Sequence, residues 1–188
     1  MKDFSRMSFD KSAICRKKQK KITKERLKNI GLYYLQRFET SVYNLREVLL
    51  KRVKKYAFEN EDFKIEQALI WIDELLDEFQ KLGYVNDARY AECKIKDYLA
   101  AGKSARFIKI KLQQKGIDAD VAQNLLDTQN YDDKSNALKF ARKKHIGPYR
   151  TNDQERKNCR QKDMACLLRA GFDYDDVCDV LNRKGEEE

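Results

Sequence analysis

Residues 83–126 read GYVNDARYAECKIKDYLAAGKSARFIKIKLQQKGIDADVAQNLL, and their spacing decides the fold. It predicts three short helices. The first starts after Asn86, whose side chain suits the free amides of a first turn. It places Ala88, Ala91, Ile95, Tyr98 and Leu99 on one face. The run AAGKS ends it, with Gly102 open to a left-handed cap. Ser104 is placed to cap a second helix, in which Ile108 and Leu112 sit one turn apart. Gly116 closes that helix. Asp118 caps a third, whose apolar face is Ala122, Leu125 and Leu126. Isolated helices shorter than about 12–15 residues are marginal in water. The three must therefore pack on one another as a unit.

The same plan extends to both sides. Upstream, from Thr23, Leu27, Ile30, Tyr34, Leu35 and Phe38 keep helical spacing up to a break at Glu39–Thr40–Ser41. Val42, Leu45, Leu49, Val53 and Tyr56 mark a second helix, followed by a polar link over 57–64. Ile65, Ala68, Leu69, Ile72, Leu75, Leu76, Phe79 and Leu82 form the strongest apolar stripe of the chain, ended by Gly83, and Trp71 stands off it. Downstream, Asp133 or Ser135 starts a helix carrying Ala137, Leu138 and Ala141. Residues 145–153 hold the only Pro and read as a loop, and a further helix spans about 154–169. LLRAGFDYDDVCDVL then repeats KLQQKGIDADVAQNLL. Leu112, Gly116, Ile117, Asp118, Leu125 and Leu126 match Leu167, Gly171, Phe172, Asp173, Val180 and Leu181 at one constant offset.

Such repeats bury their faces on one another and make an elongated helical stack. The expected organisation is all-α: a basic, disordered arm over 1–21, then three-helix repeats over 22–82, 83–130 and 131–185. Composition agrees. Charged residues make up 38% of the 188-residue chain and hydrophobic ones 41%, with seven Gly and one Pro. A single deep core is hard to build from that mixture, whereas a thin stack needs less apolar residue.

The net charge of +9 is concentrated at one end. Residues 1–60 hold 17 Lys or Arg against 6 Asp or Glu, while the remainder is close to neutral. That asymmetry predicts a polyanionic or acidic partner. Five cysteines with no CxxC pair, and a single histidine (His145), argue against a zinc site or a disulfide framework. Reduced thiols, no metal and no cofactor are expected, with Cys166 and Cys178 as small core residues. No apolar run is long enough to span a bilayer. No secretory signal stands at residues 1–21, so a cytoplasmic protein is expected.

LGYVNDARYA, GKSARFIKIKLQQKGID and LLRAGFDYDDVCDVL together resemble the RecX family of bacterial recombination regulators. The matching positions are Leu82, Gly83, Asp87, Arg89, Tyr90, Ala91, Lys115, Gly116, Ile117, Gly171 and Phe172. The resemblance covers roughly residues 23–183. It is weakest in the first repeat, where RFETSVYNLREVL keeps Arg37, Ser41 and Leu45 but lacks the family's acidic pair. It implies a curved stack of three-helix repeats and a monomer that lodges in the groove of the RecA–DNA filament. The implied role is non-enzymatic. Such a protein modulates RecA recombinase, ATPase and co-protease activity in DNA repair and the SOS response.

The residues themselves favour binding over catalysis. Asp73, Glu74, Asp77 and Glu78 cluster on the third helix, but no histidine joins them, and a solvated helix face accounts for them. Gly102–Lys103–Ser104 lacks the upstream glycine and strand of a phosphate-binding loop. His145 is the one candidate base for a cysteine nucleophile. By contrast, Lys94, Lys103, Arg106, Lys109, Lys111 and Lys115 surround the central break. Arg37, Arg46, Lys51, Arg52, Lys54 and Lys55 form a second basic group, interleaved with Tyr43 and Tyr56. These are the candidate contacts for RecA and for single- or double-stranded DNA. Cations with aromatics suit backbone contact and base stacking better than sequence readout. The alternative to a filament regulator is a general basic, helical nucleic-acid-binding protein.

Overall fold

The computed structural model describes residues 20–129 and 131–183. Most of the expected arm, Cys15 and the acidic GEEE end lie outside these residues. The described residues contain nine α-helices, one 3₁₀ turn and no strand. The first group is α1 (Lys24–Leu35), α2 (Val42–Glu59) and α3 (Ile65–Lys81). The second is α4 (Asp87–Ala100), α5 (Ala105–Gln113) and α6 (Ala119–Thr128). The third is α7 (Asp133–Lys144), the 3₁₀ turn Gly147–Tyr149, α8 (Asp153–Arg169) and α9 (Tyr174–Asn182).

Side-chain caps start most of these helices where the sequence places them. Thr23, Ser41, Asn86, Ser104 and Asp118 each accept a hydrogen bond from an amide of the first turn. Each group of helices then closes on its own apolar cluster. The first is built on Leu27, Leu45, Leu49, Ile72, Leu75 and Phe79, with Trp71 packed at its side. The second is built on Tyr90, Ala91, Ile95, Ile108, Leu112 and Leu126. The third is built on Ala137, Ala141, Leu167, Phe172, Val177 and Val180. All the extensive helix–helix packing lies within these groups.

Some expected core positions fall elsewhere. Ala88 is exposed, and Tyr90 takes the buried place on that turn of α4. Phe38 lies beyond the end of α1, in the turn, and Leu82 beyond the end of α3; both side chains are largely exposed. The polar link is shorter than expected, because α2 continues through Ala57 and Phe58 to Glu59. The acidic face of α3 is not simply solvated. Glu74 pairs with Lys24 at 2.6 Å, Glu78 with Lys28 at 2.5 Å and Asp73 with Arg46 at 3.1 Å. Exposed pairs of this kind contribute about 1 kcal/mol or less each.

One hydrogen-bond pattern, used twice, joins the groups. The Ser41 hydroxyl donates to the Lys115 carbonyl at 2.6 Å, and the Ser104 hydroxyl donates to the Ala170 carbonyl at 2.7 Å. The first amide of α2, Val42 N–H, donates to the Asp87 carboxylate at 2.8 Å. The first amide of α5, Ala105 N–H, reaches the Asp133 carboxylate at 3.3 Å and the Tyr131 hydroxyl at 2.7 Å. Burial raises the Tyr131 hydroxyl pKa, and its bond to Asp133 raises it further.

The glycine after each accepting carbonyl makes that approach possible. Gly116 has φ +78°, and a Cβ there would sit 2.4 Å from the Tyr43 Cβ. Gly171 has φ +92°, and a Cβ there would sit 2.8 Å from the Ser104 hydroxyl oxygen. Both glycines are required twice over: by the left-handed backbone and by the neighbouring repeat.

The third group departs from the plan. Residues 145–153 are not an open loop. Ile146, Gly147 and Pro148 are buried, and Arg150 reaches back to α8. The register that pairs Leu112 with Leu167 sets Asp163 opposite Ile108, a core position. Asp163 is buried there and accepts from Gly147 N–H at 2.9 Å and from both arms of the Arg150 guanidinium at 2.8 Å. Burial would raise this carboxyl, but the guanidinium and the amide outweigh it and hold its pKa below the ordinary value. A buried charge survives only when it is paired and hydrogen-bonded in this way.

Candidate functional site

The basic residues of the first group are divided between two faces of α2. Lys51 and Lys54 line a shallow hollow of about 310 Å³ with Asn44, Glu47, Val48 and Leu50. Arg52 and Lys55 point to the other side. They line a cleft of about 410 Å³ with Lys20 and Arg26, over Ile22 and Ile30. Arg46 is held by Asp73 on α3 and belongs to neither face. Arg37 lies beyond α1, with its guanidinium 4.3 Å from the ring centre of Tyr33. Tyr33, Phe38 and Tyr43 are each half exposed or more, so this end of the group presents aromatic surface beside the cations.

Around the second group the cations are in unequal positions. Lys94 is tied to Asp97 at 3.0 Å on the same helix, and that bond raises its pKa. Lys115 faces the joint: its ammonium donates to the Asn44 side chain at 2.6 Å, and its carbonyl is the one Ser41 holds. Lys109 is half-buried on α5. Arg106 is exposed, but its stem runs beside Gly171 at the second joint. Lys103 and Lys111 converge on Phe107, at 5.0 and 5.7 Å from its ring centre. Lys103 also lies 5.9 Å from the ring centre of Phe140. These rings belong to a groove of about 370 Å³ between the second and third groups, where Lys144 and Arg169 add two further cations.

Several of these residues are not apparent from the sequence. Lys20 and Arg26 precede or open α1 and look like tail charge until the fold brings them to Arg52 and Lys55. Arg26 does carry a signal, being one turn from both Ile22 and Ile30. Lys144 and Arg169 end α7 and α8, and only the packing of those helices takes them to Phe107. Among the described residues, no group of His, Cys, Asp and Glu is arranged to hold a metal ion. No described helix is long and apolar enough to cross a membrane. Cys166 is packed against the third core, and Cys93 is exposed.

Three-helix units joined in tandem by serine–carbonyl bonds, with cations gathered on a few faces, define a helical-repeat protein. Comparison with known proteins gives this class a name. Residues 86–126 match the family model described as the second three-helix domain of RecX. The regulatory protein RecX of Myxococcus xanthus is 35% identical over 160 residues, covering 84% of this chain and 85% of its own. The regulatory protein RecX of Agrobacterium fabrum is 28% identical over 160 residues, covering 85% and 84%. The chain belongs to the RecX family of regulatory proteins. The crystal structure of RecX from Lactobacillus salivarius shares the fold at a TM-score of 0.59 and 22% identity, covering 84% of this chain and 94% of that one. A second RecX crystal structure shares it at 0.61 and 20%, covering 85% and 73%.

Proposed function

We infer that this chain is a non-enzymatic regulator that binds the RecA–DNA filament. It modulates recombinase, ATPase and co-protease activity, in the cytoplasm and as a monomer, within DNA repair and the SOS response. The observation that carries this is membership of the RecX family combined with where the cations lie. Arg52 and Lys55 on α2, and Lys103 and Lys111 around Phe107, stand on surfaces of successive repeats, which the Ser41–Lys115 bond joins. A filament offers a repeating array of phosphates and acidic side chains. A stack with spaced basic faces engages several at once, which raises affinity without any one strong contact.

The test is binding to preformed RecA filaments on single-stranded DNA, compared with the same DNA coated by an unrelated single-strand binding protein and with bare DNA. Binding to the RecA filament at least roughly ten-fold tighter than to either control supports the filament regulator. Equal affinity for bare DNA and for the filament contradicts it, and would make the chain a general nucleic-acid-binding protein driven by counterion release.

A further inference from the structure

We propose that the cleft formed by Lys20, Arg26, Arg52 and Lys55 is a phosphate-binding site for the backbone of a nucleic acid. Four cations meet around about 410 Å³, and the rest of the lining is Ile22 and Ile30. No acidic side chain of the described residues pairs with any of the four. This is not for want of acids. Lys24 and Lys28, neighbours of Arg26 on α1, are matched by Glu74 and Glu78, and Arg46 on α2 is matched by Asp73. The first repeat therefore neutralises one side of α1 and leaves the other positive. Like charges held together without counter-charge repel one another, and a bound anion relieves that cost.

Arg26 also lines the cleft. Its Nε is buried and has no hydrogen-bond partner among the described residues. A buried polar donor left unpaired destabilises the fold. An anion in the cleft offers the Arg26 guanidinium an acceptor that no described side chain supplies.

The cleft's chemistry selects among anions. Its lining side chains are donors and methyl groups, with no carboxylate, amide or hydroxyl oxygen. An acidic peptide brings N–H donors that need acceptors and finds none among these side chains. A phosphodiester brings only acceptors. The lining also holds no aromatic ring or amide side chain to read a base, so the site positions a backbone without sequence preference. The cleft lies on the same basic surface as the filament-regulator proposal. It is tested with no RecA present, so failure of either is distinguishable from failure of the other.

The experiment measures binding of a labelled oligothymidylate to the full chain by fluorescence anisotropy, as a function of salt. Three proteins are compared: wild type, R52Q/K55Q in the cleft, and K24Q/K28Q on the neutralised side of α1. The two variants remove equal charge. Thermal unfolding monitors their fold, and R52Q/K55Q alters only exposed side chains. On single strands the slope of log affinity against log salt changes by about 0.7 for each phosphate that is no longer neutralised. R52Q/K55Q is expected to flatten it by about 1.4, and K24Q/K28Q to leave it unchanged. Equal flattening by the two variants overturns the site, because net charge alone then accounts for binding. Displacement of the oligonucleotide by polyglutamate of equal charge at equal concentration also overturns it, since the cleft would then not select phosphate.

Discussion

The Ser104 hydroxyl donates to the Ala170 carbonyl at 2.7 Å, across 66 residues of chain. It does so while accepting from Phe107 N–H at 3.2 Å, so one oxygen both caps α5 and fastens the third repeat to the second. Ser41 performs the same two tasks at the preceding joint, toward Asn44 N–H and the Lys115 carbonyl. Loss of a serine cap costs roughly 0.5–2 kcal/mol, and a buried carbonyl left without its donor adds about 1–3 kcal/mol. Ser104→Ala is therefore expected to destabilise the protein by about 2–4 kcal/mol. Asn152 caps α8 with no joint behind it, and Asn152→Ala is expected to cost about 1 kcal/mol. Urea unfolding of the two variants checks this. Equal losses would mean that the inter-repeat bond contributes nothing.

Gly116 separates two effects that usually coincide. A residue with a Cβ in the left-handed region costs about 1–2 kcal/mol. At Gly116 the Cβ would also meet Tyr43 of the first repeat at 2.4 Å. Gly116→Ala is expected to lose roughly 2–4 kcal/mol, and shortening the opposing residue in Gly116→Ala/Tyr43→Gly should restore part of it. The check is a double-mutant cycle on thermal unfolding. Additive losses would place the whole cost in the backbone.

The fold is legible in the sequence because its signals are local. Gly102, Gly116 and Gly171 mark the breaks, Asn86 and Ser104 cap the helices that follow, and the Leu112–Leu167 register shows that the plan repeats. The joints are legible only in half. Ser104 is visible as a cap, but its second partner is set by tertiary packing, and nothing in the local pattern points to residue 170. Asp163 escapes sequence reasoning for the opposite reason. It stands at a core position that periodicity assigns to an apolar residue, and only Arg150, carried in by the 3₁₀ turn, makes burial tolerable. The site is legible in composition and not in geometry. The excess of Lys and Arg before residue 60 is plain in the sequence, but its division between two faces of α2 depends on α1 and α3. That Lys115 is occupied in a joint follows from a contact 71 residues away.

The Arg150–Asp163 pair gives the third repeat a defined acid sensitivity. A carboxyl whose folded pKa is depressed contributes stability that is present above its unfolded value, near 4, and is lost as pH falls through the folded value. Asp176 acts with the opposite sign. Burial and the carboxylates of Asp133, Asp173, Asp132 and Asp179 raise it, so its protonation relieves repulsion as pH falls toward 4. Stability is expected to hold or rise slightly down to about pH 4 and to fall below it. Arg150→Met strands the Asp163 charge and is expected to cost about 3–5 kcal/mol at neutral pH, with the loss diminishing in acid. Unfolding from pH 3 to 7 measures both. A pH-independent loss in Arg150→Met would show that the pair is not the origin.

Charge reversal on the first repeat tests its surface in filament binding. Arg37, Arg52 and Lys55 are suitable positions, each being exposed. Arg46 is not, because a carboxylate placed there would face Asp73 and disturb α3. The triple change to Glu is expected to weaken binding to RecA filaments roughly ten-fold or more while leaving helicity intact. Undiminished binding measured at the same salt would remove this face from the contact surface.

The regulator proposal stands or falls most directly on ATP hydrolysis by RecA on single-stranded DNA, titrated with this protein. Inhibition is predicted at protein levels far below those that saturate the DNA, with a midpoint that follows the concentration of filament. Inhibition that sets in only when free DNA is fully coated, with a midpoint that follows total DNA, would contradict it.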